Sequence, residues 1–352
     1  MPTSLADLPA PAPRPAMYEA LSDELRRLTL PALRRLFGAS FRHRSWRSAP
    51  HDGAILLMAP HELSAARRNT ILAAANWSWV HLTSAGTDFI DLGAWPKATL
   101  LTRSWQCYAA PLAEYSLHAV LSHEWRGGAP WGERDTRAAP APDAPPVPAG
   151  GSTGGGAGLW GARVGVAGWG AVGQRLAHTF AALGADVTVL RRRPDGVARA
   201  RIAQTTDLDR VLDVDHLITA LPLTGDTVRL FDRPALSRAR PGLHLVNISR
   251  ADILDQEALT ELCAAERMFA TLDVTDPEPL PEDHPLRHLP TVRLSPHVAW
   301  RSRGSDAAFI DDFVAIWQAL REPGRTTPGA VAPTEDIRAR AAVSGASTRG
   351  KA

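Results

Sequence analysis

The chain has 352 residues, of which 45% are hydrophobic and 22% charged, and its formal net charge at pH 7 is +2. This length allows two domains with sizeable cores, and this charge balance argues against a nucleic-acid or acidic membrane surface as a partner. The two cysteines, Cys107 and Cys263, are far apart and lack metal-ligand spacing, so we expect no disulfide framework and no metal site. No apolar run approaches membrane-spanning length, and the sequence predicts a cytoplasmic protein.

Residues 1–126 have the alternating pattern of a small α/β domain. Short apolar runs typical of strands alternate with segments of helical period, which favours a sheet covered by helices. The predicted helices are 17–37, 62–74 and 111–124, and the predicted strands are 54–58, 79–82 and 98–102.

Residues 127–158 interrupt this pattern with a segment rich in Pro, Ala, Gly and Ser. Such a composition cannot bury enough apolar surface to offset the conformational entropy lost on ordering. We therefore interpret 127–158 as a mobile linker between two domains.

A glycine-rich turn follows this linker, at Gly168-Trp-Gly170-Ala-Val-Gly173. A β-type run at 163–167 leads into the turn, a segment of helical period follows it, and a second strand is predicted at 186–190. This pattern is typical of a β-α-β unit that binds a dinucleotide pyrophosphate, although a purely structural turn has the same glycines. The candidate pyrophosphate-binding residues, at the turn and the helix N-terminus, are Gly168, Gly170, Ala171, Val172 and Gly173.

Strands and helices continue to alternate as far as residue 321. Three polar residues, Arg250, Glu278 and His297, each follow a predicted strand, and ligands of open α/β sheets bind at the carboxyl ends of the strands. The predicted strands are 216–220, 243–248, 269–274 and 292–294, and the predicted helices are 233–240, 256–267 and 304–321, before a disordered tail at 326–352.

Four segments carry a resemblance to a known family. They are Ala220-Leu-Pro-Leu-Thr224, Leu245-Val-Asn-Ile-Ser-Arg250, Leu272-Asp-Val-Thr-Asp-Pro-Glu278-Pro-Leu-Pro281 and Leu294-Ser-Pro-His297. Their order and spacing, together with the glycine turn, resemble the D-isomer-specific 2-hydroxyacid dehydrogenases, and within them the glyoxylate/hydroxypyruvate reductases. This resemblance implies a fold of two Rossmann-like parallel-sheet domains with a cleft between them. One is a discontinuous, flavodoxin-like substrate domain (1–126 plus 300–325), and the other is a dinucleotide-binding domain (159–299).

The resemblance also implies a catalytic set of three residues. His297 would donate a proton to the ketone oxygen as the nicotinamide delivers a hydride, and histidine suits that role near neutral pH. Glu278 would orient the imidazole, and Arg250 would bind the carboxylate and ketone oxygen of a small 2-keto acid. Each residue taken alone has a structural alternative, and the joint spacing favours catalysis.

Further site residues follow from the resemblance. Ala85 and Gly86 match a loop that holds the substrate carboxylate through its backbone, and Pro222 and Ile248 match positions that line the cofactor. Asp273 either accepts a hydrogen bond from the nicotinamide carboxamide or caps a strand.

The chain departs from the family pattern at several positions. Ala251 stands where the family usually has glycine, which bears on the tight turn there but not on Arg250. Arg103 stands where asparagine is frequent and Trp300 where a small residue is common, and we expect these two to reshape the substrate pocket. The family usually forms a homodimer through the segment before the glycine turn, and 127–158 replaces that segment here. A homodimer therefore stays an open alternative.

The end of the second strand predicts the cofactor. Enzymes selective for NAD carry a carboxylate there that binds the ribose hydroxyls, whereas this chain has Arg191 and Arg192. Guanidinium groups bind a 2′-phosphate, so we expect NADP(H) rather than NAD(H). The alternative is that both arginines are solvated and Asp195 binds the ribose.

Three functional hypotheses fit the sequence. The first is an NADPH-dependent reductase of small 2-keto acids. The second is a phosphite-type dehydrogenase. A formate dehydrogenase is disfavoured, because formate enzymes have Gln where this chain has Glu278. The third is a nucleotide-sensing protein resembling the family's transcriptional corepressors, favoured by the altered pocket but not by the intact catalytic set.

Overall fold

The structure is a computed structural model, and the residues that it describes are 17–21, 23–37, 43–48, 54–60, 63–87, 89–92, 94–96, 98–125, 158–322 and 328–332. The chain divides into two compact units, of which the first is Met1–Tyr108 with Ser302–Ala352 and the second is Ala109–Arg301. Within the described ranges, no helix is long and apolar enough to cross a membrane. Residues 127–157 of the predicted linker lie outside the described residues.

The first unit is built on a sheet whose described strands are β1 (Met17–Ala20), β2 (His43–Ser45), β3 (Ile55–Met58), β4 (Trp79–Leu82), β5 (Leu100–Arg103) and β13 (Ala330–Ala332). Their order is β13-β5-β4-β3-β1-β2. Strands β1 to β5 are parallel and follow the flavodoxin-like order 2-1-3-4-5, as expected for this domain. Strand β13 pairs antiparallel with β5.

Three helices accompany this sheet: α1 (Asp23–Phe37), α2 (Ala65–Leu72) and α8 (Ser305–Arg321). On α8, Phe313 stacks on Trp79 with ring centroids 5.1 Å apart. The buried carboxylate of Asp312 accepts three backbone N–H bonds from the turn after β5, at 2.9, 2.9 and 3.1 Å. These three hydrogen bonds explain why α8, which follows the second unit in the chain, belongs to the first unit.

Two segments of the first unit differ from the sequence expectation. Residues 17–20 form a fully buried strand rather than the start of a helix, because β1 pairs with β2 on one side and β3 on the other. These non-local pairings outweigh the local helical period. Residues 330–332 form β13 in the segment expected to be a disordered tail, where β13 pairs with β5 and Val331 packs against the core.

The second unit is built on a sheet of seven parallel strands within the described residues: β6 (Arg163–Ala167), β7 (Asp186–Leu190), β8 (Ile202–Thr205), β9 (His216–Thr219), β10 (Leu243–Asn247), β11 (Met268–Leu272) and β12 (Val292–Leu294). Their order, β12-β11-β10-β9-β6-β7-β8, is the Rossmann order with one strand added at the edge. The interior strand β10 is buried throughout, as helices on both faces of a parallel sheet require. The predicted fold class of two parallel-sheet α/β domains is confirmed.

The helices of the second unit are α3 (Ala109–Glu124), α4 (Ala171–Ala182), α5 (Asp209–Leu212), α6 (Arg233–Ser237) and α7 (Gln256–Ala264). Helix α4 buries Leu176, Ala177 and Phe180 at helical spacing. Helix α3 shares that core through Ala119 and Val120. It therefore groups with the second unit, whereas the sequence analysis places residues up to 126 in the first domain.

Candidate active site

The glycine turn between β6 and α4 has a shape that only glycine permits at two positions. Gly168 has a φ of +116°, and a Cβ there would lie 2.4 Å from the carbonyl oxygen of Ala220. A Cβ on Gly173 would lie 2.1 Å from the carbonyl oxygen of Gly168. These contacts are with rigid backbone, so a side chain at either position would push β6, β9 and α4 apart.

The N-terminus of α4 fits a pyrophosphate. Gly170 is its N-cap, and among the described residues no side chain accepts a hydrogen bond from the first turn. A Cβ on Gly170 would meet nothing within 4 Å, so the space in front of the helix is open. The unpaired N–H groups and the positive end of the helix dipole favour an anion at this point.

The arginine predicted to select the cofactor is paired in the structure. Arg191 donates from Nη1 to Asp195 Oδ2 at 2.9 Å and to Gln204 Oε1 at 3.3 Å. Its guanidinium lies 5.8 Å from the ring centroid of Trp169, which follows Gly168 in the turn. Arg192 instead is 88% exposed and pairs with Asp226. The structure thus places Arg191, but not Arg192, against the glycine turn.

A second arginine, which the sequence does not predict, lies at this point. Arg199 donates two hydrogen bonds to the carboxylate of Asp195, both at 3.0 Å, and lies 5.0 Å from the Trp169 ring centroid. The hydrogen bond from Arg199, followed by one from the Val197 N–H, lowers the pKa of Asp195 below its usual range. Arg191 and Arg199 therefore flank one carboxylate beside the glycine turn. No sequence motif includes Arg199, because it lies beyond β7 in a loop that folds back toward the end of that strand.

The predicted catalytic residues follow three neighbouring strands of the second unit. Arg250 follows β10, Glu278 lies in the loop after β11, and His297 follows β12, so all three lie at the carboxyl edge of one sheet. Glu278 Oε1 is 2.7 Å from Nδ1 of His297, and both side chains are about 40% exposed. Arg250 is half-buried and donates from Nη1 to the carbonyl of Ser249 at 2.8 Å.

The backbone of His297 is held in an unusual conformation. Its φ of 55° lies in the left-handed region, which a histidine adopts only at an energetic cost. Two hydrogen bonds at 3.0 Å hold it there: the His297 N–H donates to the carbonyl of Asp273, and the indole N–H of Trp300 donates to the carbonyl of His297. Trp300, a departure from the family pattern, thus contacts the predicted acid/base residue directly.

The carboxylate of Asp273 holds the rest of this loop. It is buried at 3% exposure and accepts hydrogen bonds from Ser295 Oγ at 2.6 Å and from the N–H groups of Val298 and Ala299 at 2.8 and 2.9 Å. Because the Ser295 hydroxyl donates to Asp273, the Tyr115 hydroxyl 2.6 Å away donates to Ser295. Burial raises the pKa of Tyr115 above its usual value, which keeps it a donor.

The remaining predicted residues fall in both units. Ile248 is buried at the end of β10, and Pro222 lies after β9, where its carbonyl accepts the Thr227 hydroxyl at 2.6 Å. In the first unit, Ala85 and Gly86 follow β4. The carbonyl of Gly86 accepts the Ser84 hydroxyl at 2.9 Å, and that of Ala85 accepts a guanidinium N–H of Arg103. Arg103 therefore holds the predicted substrate loop.

Comparison with known proteins agrees with these motifs. Residues 151–299 match the model of the D-isomer specific 2-hydroxyacid dehydrogenase NAD binding domain. Over 140 residues the chain is 39% identical to a glyoxylate/hydroxypyruvate reductase B of Pectobacterium atrosepticum, covering 38% of this chain and 43% of the relative. Over 180 residues it is 34% identical to a D-3-phosphoglycerate dehydrogenase of Mycobacterium bovis, covering 49% and 33%. The chain thus matches less than half the length of either relative.

A solved structure extends the likeness beyond the nucleotide-binding unit. The TT0316 protein of Thermus thermophilus superposes with a TM-score of 0.66 and 25% identity, over 90% of this chain and 100% of that one. The resemblance inferred from the four motif segments is confirmed by these comparisons.

Substitution of Gly173 and of Gly170 should affect two different properties, stability and dinucleotide affinity, because only a Cβ on Gly173 meets backbone atoms. We expect Gly173→Ala to lower the free energy of unfolding by about 3 kcal/mol, because its Cβ clashes with backbone. Gly170→Ala, whose Cβ meets nothing, should keep wild-type stability and lose affinity for dinucleotide. Urea unfolding and calorimetric titration with NADPH measure the two effects. Equal stability of the two variants would contradict this assignment.

Proposed function

We propose that this chain is a member of the D-isomer-specific 2-hydroxyacid dehydrogenase family and transfers a hydride between a nicotinamide cofactor and a small 2-keto or 2-hydroxy acid, with D-stereospecificity. The single observation that carries the proposal is the 2.7 Å bond between His297 and Glu278, which lies at the carboxyl edge of a dinucleotide-binding sheet. Such an edge is where ligands of open α/β sheets bind. The direction of the reaction that we favour is reduction.

The proton chemistry of the proposed reaction falls to His297. A reduced nicotinamide, when bound, would supply the hydride for C2 of the keto acid, and the ketone oxygen would then need a proton. Because Nδ1 of His297 is held by Glu278, Nε2 is the nitrogen left to donate that proton. The carboxylate of Glu278 stabilises the imidazolium before transfer and returns it to the same orientation afterwards.

Arg250 is the proposed substrate clamp. A guanidinium offers donors in a fixed planar fork, which matches a carboxylate and, next to it, a ketone oxygen. Donation to the Ser249 carbonyl uses one N–H and fixes the orientation of the side chain. In this proposal Arg250 both orients the 2-keto acid and polarises its carbonyl, while Ala85 and Gly86 bind the carboxylate through their backbone N–H groups.

We extend the proposal to NADP(H) as the preferred cofactor. Arg191 and Arg199 place two guanidinium groups around the single carboxylate of Asp195, which leaves net positive charge at the end of β7. A 2′-phosphate is a dianion that such a pair can bind with charge-assisted hydrogen bonds, and Trp169 limits the movement of both side chains. Asp195 is already engaged by both arginines, which disfavours the alternative in which it binds the ribose hydroxyls of NAD.

A panel of 2-keto acids tests the proposed activity. We expect NADPH oxidation, followed at 340 nm, with glyoxylate or hydroxypyruvate, and a loss of at least about 100-fold in kcat for His297→Ala, since general acid catalysis contributes that much. His288→Ala, an exposed histidine in the preceding loop, is the matched control and should keep wild-type rates. Tight NADPH binding without turnover of any 2-keto acid would favour the nucleotide-sensing hypothesis, and turnover of phosphite alone would favour a phosphite-type dehydrogenase.

Substitution of single arginines tests the cofactor assignment. Arg191→Ala and Arg199→Ala should each raise the KM for NADPH by about tenfold or more, the usual cost of a lost charge-assisted hydrogen bond, and leave the KM for NADH nearly unchanged. Arg192→Ala should have a smaller effect because its side chain is 88% exposed and pairs elsewhere. The exposed Arg210→Ala is the control. Equal changes for NADPH and NADH would overturn the assignment.

A further inference from the structure

A cavity of about 310 Å³ opens in the first unit, and its lining includes none of the residues assigned above to catalysis, cofactor or substrate. Residues that follow three different strands line it: Leu21, Asp23 and Arg26 after β1, Trp46 and Arg47 after β2, and Leu63 and Arg67 after β3. Its volume is at the lower end of the range found for small-molecule sites, which is roughly 300–1,000 Å³.

The cavity lies where the topology of the sheet favours ligand binding. Strand β1 is bonded to β2 on one side and to β3 on the other, so the chain reverses its direction of winding at β1. In open α/β sheets, ligands bind outside the carboxyl ends of the strands at such a point, because the connections leave in opposite directions and open a crevice. The lining segments are those that leave the carboxyl ends of these three strands.

One wall of the cavity is held rigidly by a buried ion pair. Glu19, 3% exposed on β1, accepts hydrogen bonds from Arg26 Nε at 2.9 Å and Nη2 at 3.3 Å, and from the Leu21 N–H at 3.1 Å. Arg26 also pairs with Asp23 and donates to the Leu21 carbonyl. Arg26 therefore pairs with two carboxylates, so we assign it a structural role and not the role of binding a ligand.

Two other arginines of the lining have no such match. Within the described part of the chain, neither Arg47 nor Arg67 forms an ion pair, and both side chains are exposed. The guanidinium of Arg47 lies 5.5 Å from the ring centroid of Trp46, which restricts its position. Arg67 lies in the first turn of α2, whose N-cap is Ser64. Among the described residues, the three arginines of the lining outnumber the carboxylates of Asp23 and Glu19 by one, so the cavity carries a net positive charge beside the Trp46 ring.

We propose that this cavity binds a small organic anion. Arg47 and Arg67 hold its phosphate or carboxylate group by charge-assisted hydrogen bonds, and the half-buried faces of Trp46 and Leu63 contact its compact apolar body. An apolar wall with a few fixed polar groups is the usual composition of a small-molecule site.

Calorimetric titration of the full chain, saturated with NADPH, tests the proposal. The probes are phenylphosphate and benzoate as organic anions, inorganic phosphate as an anion without an apolar body, and phenol as the body without a charge. We expect one of the two organic anions to bind best, and Arg47→Gln and Arg67→Gln each to weaken it at least about tenfold. Arg47→Lys should recover part of the affinity because the charge returns.

Two controls separate this cavity from other sites. Arg34→Gln removes an exposed arginine of the same unit that does not line the cavity, and it should leave the affinity unchanged. Arg250→Ala alters the candidate active site and should also leave it unchanged. Phenol binding as tightly as the organic anions, inorganic phosphate binding as tightly as phenylphosphate, or full affinity in both Arg47→Gln and Arg67→Gln would each overturn the proposal, as would loss of binding in Arg250→Ala.

Discussion

The carboxylate of Asp273 is the constraint on which the candidate catalytic centre depends. A buried carboxylate is strongly unfavourable unless donors satisfy it, and here the Ser295 hydroxyl and the N–H groups of Val298 and Ala299 do so. All three donors lie on the loop that carries His297, so the loop cannot leave Asp273 without exposing an uncompensated charge. The hydroxyl of Tyr115 extends the same network to helix α3.

This constraint accounts for the placement of the proposed acid/base residue. In an unrestrained loop the backbone of His297 would leave the left-handed region. The hydrogen bonds to Asp273 and from the Trp300 indole hold it in that conformation. The imidazole then meets Glu278 from the neighbouring loop at 2.7 Å. The anchored loop ends at the carboxyl edge of the sheet that also carries the glycine turn, Gly168 to Gly173, where we propose that the dinucleotide binds. In the proposed function, one sheet therefore positions both the proton donor and the hydride source.

Much of this organisation could be predicted from the sequence because its signals are local. The glycine turn, the strands on either side of it and the order of Arg250, Glu278 and His297 all follow from short segments. What could not be predicted depends on contacts between distant segments. Strand β1 exists because β2 and β3 pair with it, Arg199 reaches Asp195 through a loop, and helix α3 belongs to the second unit because it shares a core with α4. The sequence also left two roles open for Asp273, and its three hydrogen bonds favour the structural one.

The most direct test of this account is the split between rate and binding in Asp273→Asn. The Asn side chain would have only one acceptor oxygen, and its NH2 group would meet donors that need an acceptor, among them the Ser295 hydroxyl and the N–H groups of Val298 and Ala299. The loop that carries His297 should therefore shift. We predict that kcat for 2-keto acid reduction falls by about 100-fold, as a displacement of about 1 Å in a reacting group can cause. The dissociation constant for NADPH should change less than about threefold, well below the cost of one hydrogen bond to a charged group. The exposed Asp252→Asn serves as the control. An unchanged kcat, or a loss of NADPH affinity as large as the loss of rate, would contradict the account.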